Sequence, residues 1–260
     1  MSDVQNPLGS QWSGRTRGTV AAATIAAASL LVPRRANALS LTYASSIPGT
    51  GDIKVLNYAL ALEDFESALY QAALAAFPAL GVASGNALYN YVLEFSQVEQ
   101  DHAAFLRSTL TSAGGPVISH FTYDFSQITS AASPRSILEL LLQVEATGVR
   151  AYLGAIPLFS QGSKYLRTAA AIQATEARHT SILTILRNVL YQTTTDVAPL
   201  SGDNNLTGRF TNATFQYENY NPAGYSATKP NEGVAGIEAN LQPNTVLAAV
   251  GPFFVAPVTT

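Results

Sequence analysis

The chain contains no cysteine among its 260 residues. That excludes disulfides, thiolate metal ligands, iron–sulfur centres and a cysteine nucleophile, and leaves the redox compartment open. Charge is scarce too. Only 12% of residues are charged, and a formal net charge of −3 offers no basic surface to a nucleic-acid partner. Histidine is the scarcest chemistry-bearing residue, with three in the whole chain. Against these shortages stand 47% apolar residues, 12 Tyr and 11 Phe, which suffice for a well-packed core and argue against a disordered chain. The length fits one large domain or two small ones.

Because histidine is rare, its placement carries weight. Two of the three follow a glutamate by three residues, in Glu99-Gln100-Asp101-His102 and Glu176-Ala177-Arg178-His179. On a helix, residues three apart lie about 60° apart around the axis and about 4.5 Å along it, so each pair projects side by side from one face. With 10 Glu in the chain, composition alone would give two such pairs in roughly one chain in two hundred. The competing reading is two solvated helix-face pairs, each worth a few tenths of a kcal/mol, and at that frequency it is the weaker one.

The first forty residues read as an export signal. Arg15 and Arg17 form a basic region, Gly18 to Val32 is uncharged and rich in alanine, and Ala36-Asn37-Ala38 is a small-x-small cleavage site. The apolar run is short of the roughly 20 residues of a membrane span. Pro33-Arg34-Arg35 is unusual between such a run and its cleavage site, and an uncleaved anchor or an organelle transit peptide is the rival reading. Cleavage near Ala38 would remove four Arg and one Asp, moving the charge from −3 to −6, and predicts a secreted or extracytoplasmic chain with no stable membrane span. The sequons Asn205-Leu206-Thr207 and Asn212-Ala213-Thr214 agree with secretion.

After an extended lead-in, residues 39–52, with Asp52 as the expected N-cap, four segments carry apolar residues at helical spacing. The first runs from Ile53 to about Phe77 and is stopped by Pro78 and Gly81. The second starts at a Ser84 cap and ends near Ser112, before Gly114-Gly115-Pro116. A link this short predicts antiparallel neighbours. Residues 114–133 are different: Phe121, Tyr123 and Phe125 alternate as in a strand, and the stretch is long for a connection inside one domain. It fits a crossover returning along a bundle. A third helix opens at Ser133-Pro134 and kinks or ends near Pro157, and a fourth runs from about Lys164 to Gln192. Residues 193–260 turn to Thr, Asn, Gly, Pro and Tyr and read as an irregular extension. Its apolar islands, Val246–Val250 and Pro252–Val255, are expected to dock on the bundle or on a second subunit, which leaves room for a homo-oligomer.

The helical part repeats in two halves. Glu63 on the first helix and Glu145 on the third sit in apolar sectors, an odd place for unpaired carboxylates. Each is followed seven residues later by a tyrosine, Tyr70 and Tyr152. Each following helix carries one Glu-x-x-His. Glu63, Glu99, His102, Glu145, Glu176 and His179 thus form the donor set of a ferritin-like four-helix bundle, spanning residues 53–192, with a dinuclear carboxylate site. Oxygen-rich, nitrogen-capped donors suit iron, with manganese as the alternative. Asp64 and Glu66 are alternatives to Glu63, but only Glu63 reproduces the tyrosine offset. Tyr70, Tyr152 and Glu66 are placed beside the donors as hydrogen-bonding support. His120, in the crossover, reads as an ordinary loop histidine.

With these residues in view, the chain resembles the ferritin-like proteins that include plant and algal desiccation-related proteins and fungal stress-response proteins. The carrying stretches are Val55–Glu63, Glu99–Leu106, Glu145–Ala155 and Glu176–His179, within about residues 53–190. Export signals are common in that family. The resemblance implies an all-α bundle with a metal site and a stress or desiccation role. Two functions follow: a di-iron or di-manganese oxidoreductase, oxidase or catalase-like, acting on dioxygen or peroxide, or a non-enzymatic stress or surface protein with a structural or vestigial metal site. Cage-type iron storage fits less well, because a 68-residue extension is hard to place in a closed shell.

Overall fold

A computed structural model describes residues 38–191 and 240–257. The export segment, all but Ala38, and the sequons at Asn205 and Asn212 lie outside the described residues. A single turn, α1 (Tyr43–Ser46), interrupts the expected extended lead-in and precedes the first long helix, α2 (Gly51–Ala76). Thr50, not Asp52, holds the N-cap position of α2. Asp52 lies in the first turn and accepts from Ser160 N (2.8 Å) and Ser160 Oγ (2.9 Å), fastening the start of α2 to a distant loop.

A 3₁₀ turn, Phe77–Leu80, and Gly81 at φ +79° end the first long helix. The next, α3 (Ala87–Ser112), is capped by Asn86, whose Oδ1 accepts from Leu88 N at 2.9 Å, two residues beyond the expected Ser84. Asn and Ser satisfy a free helix N–H about equally well, so composition does not choose between them. The crossover holds β1 (Phe121–Tyr123) and a single turn, α4 (Ser126–Thr129). Ser133 caps α5 (Pro134–Ala155), with Pro134 at the first turn, and Pro157 sits in a closing 3₁₀ turn, Ile156–Leu158. The last long helix is α6 (Leu166–Tyr191). Among the described residues no helix is long and apolar enough to cross a membrane.

The two long-helix pairs, α2 with α3 and α5 with α6, make the most extensive contacts, and the pairs meet chiefly through α2 and α5. Every residue from Val55 to Glu63 is buried. A helix apolar on all sides needs cover on all sides, and the crossover supplies the third wall. Asn57 fixes that wall at its beginning: its Nδ2 donates to Pro116 O (2.8 Å) and its Oδ1 accepts from Ile118 N (2.7 Å).

The described part of the extension is more regular than its composition suggested. Residues 243–250 form α7 (Pro243–Val250), and a 3₁₀ turn leads into β2 (Phe254–Pro257), which pairs antiparallel with β1. The strand partner lies far away in sequence, which is why local composition reads as loop. Phe65 of α2 receives the rings of Tyr123, Phe125, Phe253 and Phe254 at 5.2 to 6.0 Å between centroids. Leu241 N donates to Arg150 O of α5 at 3.0 Å. The approach is so close that a β-carbon on Gly154 would lie 1.9 Å from Leu241 O.

Candidate metal centre

The six sequence-selected donors come together from four helices. Glu63, on α2, is buried although its neighbours are Leu62 and Phe65; Glu145, on α5, is equally buried beside Val144. Glu99 and His102 face inward from α3, and Glu176 and His179 from α6, each pair held side by side by the three-residue spacing. All four glutamates are 0% exposed.

Their donor atoms form two overlapping sets, Glu63–Glu99–His102–Glu176 and Glu99–Glu145–Glu176–His179, within which all atoms lie inside 4.8 Å of one another. Donors bonded at about 2.0–2.2 Å to one ion are at most about 4.4 Å apart, so small side-chain shifts bring each set into bonding range. Glu99 and Glu176 belong to both. His102 Nδ1 lies 3.0 Å from Glu99 Oε2, 3.1 Å from Glu63 Oε2 and 3.6 Å from Glu176 Oε1. His179 Nδ1 lies 2.8 Å from Glu99 Oε1 and 3.3 Å from Glu145 Oε1.

Proximity here is not the same as hydrogen bonding. His179 Nδ1, Glu99 Oε1, Glu145 Oε2 and both Glu176 oxygens are buried without an aligned hydrogen-bond partner. Each orphan of this kind costs about 1–3 kcal/mol, and one shared cation would satisfy several at once. The orphaned atoms and the oxygen-rich, nitrogen-capped donor set therefore fit a divalent metal of the iron or manganese type.

The tyrosines support the cluster across the halves. Tyr70 of α2 donates to Glu145 of α5, and Tyr152 of α5 donates to Glu63 of α2. Each tyrosine, seven residues after the glutamate of its own helix, reaches the opposite one, because a two-turn reach is longer than the gap between facing helices. Glu66 is buried one turn beyond Glu63, with Oε2 unpartnered. Its counterpart three residues after Glu145 is Gly148. A β-carbon there would lie 3.0 Å from Glu66 Oε1 and 2.9 Å from Glu176 Oε2, so the glycine leaves room for two carboxylates. Asp64 turns away to Arg107 and to His120, whose Nδ1 is 3.2 Å off. His120 is 60% exposed and joins neither set.

Protons balance the crowded charge. Burial raises Glu63 to about 8 even though His102 pulls it down. Burial would raise Glu99 as well, but its contacts with His102, His179 and Glu63 hold it at about 2. Burial lowers both imidazoles, yet Glu63 and Glu99 lift His102 to about 10, and Glu145 and Glu99 lift His179 to about 9. Burial, reinforced by neighbouring carboxylates, keeps Glu66 and Glu176 well above the usual range. A metal would have to displace these protons, so loading releases acid and is favoured as pH rises.

Two features escaped the sequence reading. Phe95, one turn before Glu99, stacks on His179 with ring centroids 4.0 Å apart. A cavity also opens beside His102, between α3 and α6. Both arise from contacts between helices that no local spacing announces. In comparison with known families, residues 51–192, more than half of the chain, match the family model described as a ferritin-like domain. No curated protein matches.

Proposed function

Because the chain belongs to the ferritin-like domain family, we propose that Glu63, Glu99, His102, Glu145, Glu176 and His179 hold a dinuclear iron centre, manganese being the alternative, in an exported redox or metal-handling protein of stress or desiccation. The observation that carries this reading is the sharing of Glu99 and Glu176 by two donor sets, each completed by its own Glu and His. Donor sets with carboxylates in common are what a dinuclear site, as opposed to two independent sites, would require. Bound there, the metals would supply activation of dioxygen or peroxide.

The chain's own groups would prepare that chemistry. Tyr70 and Tyr152 are kept protonated by burial and by the adjacent carboxylates. As donors they fix the orientation of Glu145 and Glu63, which leaves the other carboxylate oxygens to face the centre. Glu66, kept protonated by burial, stores a proton beside Glu176. Phe95, stacked on His179, excludes water on that side. Export rests on the residues before Leu39, and the expected mature N-terminus lies there.

Metal analysis of protein purified without chelator or metal-affinity tag tests the reading. Two ions per chain are expected, followed by turnover with peroxide or dioxygen. Two ions without turnover would favour the non-enzymatic stress or surface protein. No metal under replete conditions would overturn the centre itself.

A further inference from the structure

Of the six clustered donors, His102 alone lines a cavity that opens between α3 and α6. The cavity, about 440 Å³, is walled by Phe105 of α3 and by Arg167, Thr168, Ile172 and Thr175 of α6. It occupies the least-packed seam of the bundle, since α3 and α6 touch far less than the partners within each helix pair. The two histidines differ accordingly. The His102 side chain is 15% exposed, whereas that of His179 is 4% exposed and covered by Phe95.

The wall facing His102 carries one cation, Arg167. On α6, Arg167 and Arg178 are eleven residues apart, three turns that return to within about 20° of the same direction. Arg178 lies outside the lining and donates from Nη2 to Thr175 Oγ1, a wall residue, at 2.8 Å. Arg167 has no ion-pair partner among the described residues, and no carboxylate lines the cavity. Asp101, one turn before Phe105, is exposed and not part of the wall. Arg167 and Thr168 also lie in the first turn of α6, at the positive end of its dipole. A cavity with cationic, hydroxyl and apolar walls discriminates against cations and attracts small anions.

We propose that this cavity is an entry site for small monoanions such as azide, formate or hydroperoxide, selected by charge, which delivers its ligand to the His102 side of the centre, with Arg167 as the recruiting cation. The inference rests on the metal reading above. It adds that the two halves are unequal: ligands arrive beside Glu63 and His102, and the Glu145 and His179 half is closed.

Azide, followed by its optical charge-transfer band on iron-loaded protein, is the probe, and nitric oxide on the ferrous protein is the uncharged control. Arg167→Glu should weaken azide by about tenfold or more, with nitric oxide changed less than about twofold and metal content unchanged. Ala171→Trp, a change at an exposed position that narrows the cavity, should slow both probes by about tenfold while keeping both metals. Wild-type azide affinity should fall as salt rises. Metal-loaded variants that bind azide as wild type does overturn the site. Wild type that carries metal but gives no azide band overturns it as well. A chain that carries no metal overturns the reading beneath it, and metal content alone separates that failure from the others.

Discussion

The α2–α3 and α5–α6 halves are built to one plan and differ at two places. Each gives a lone buried glutamate, a tyrosine two turns on, and a Glu-x-x-His on the returning helix. Each tyrosine serves the other half's glutamate. What matches is what two equivalent donor sets require. What differs is Glu66 against Gly148, and His102, open to a cavity, against His179, shut beneath Phe95. A symmetric frame thus holds an asymmetric environment: one difference lies outside the donor set, at Glu66 and Gly148, and the other in what surrounds the two donor histidines.

The most severe way to break the comparison is to remove a shared donor. Glu99→Ala should abolish metal binding in both halves, whereas Glu145→Ala should cost the metal of its own half first. Elemental analysis of the two variants separates them; equal loss in both would mean that the halves are not distinct. Removing one carboxylate also relieves repulsion among those that remain. Metal-free Glu145→Ala is therefore expected to be as stable as metal-free wild type or more so, by thermal unfolding.

Gly148→Ala asks whether the missing side chain matters. Alanine favours a helix interior by about 1 kcal/mol over glycine, which offsets much of the crowding against two carboxylate ends that can swing. Stability should change by less than about 1 kcal/mol. Metal affinity should nevertheless fall by about tenfold, because Glu176 is one of the groups displaced. Calorimetric unfolding together with a competitive chelator titration checks both halves of that statement.

Acidity sharpens the contrast between empty and loaded protein. Glu63, at about 8, and His102 and His179, at about 10 and 9, hold their protons more tightly than their ordinary values of 4.5 and 6.5 allow. The folded chain then binds more protons than the unfolded one. This stability is complete below pH 4.5 for Glu63 and below 6.5 for the histidines, and is lost as pH rises through 8 to 10. Glu99, at about 2, works the opposite way, and its contribution is lost only as pH falls from 4.5 toward 2. Chelator-treated protein should melt at progressively lower temperature from pH 6 to 10, while metal-loaded protein holds or gains. The smallest effect belongs to His120→Ala, an exposed group outside both sets, with unchanged metal content and a stability change within about 0.5 kcal/mol.

The donors, the four long helices and the long connection were legible because each is written in local spacing. Glu-x-x-His places two side chains on one helix face regardless of context, and Ser133-Pro134 opens a helix by its own chemistry. What stayed hidden depends on partners. Asp52 looks like a cap until Ser160 is seen to occupy it, and Tyr70 looks aligned with Glu63 until the facing helix is in place. The aromatics at 121–125 alternate like a strand, but nothing near them names Phe254 as their partner.

That partnership bears on the order in which the chain folds. Thr122 and Ala256 meet across 134 residues, whereas each long-helix pair is closed by a short link. Loop closure of that length delays its contacts, so the helical hairpins form first and the two-stranded ribbon last. The wall over Phe65 therefore closes after each Glu-x-x-His helix has already paired with its neighbour. In refolding followed by amide exchange, Leu60 should gain protection before Thr122 and Ala256.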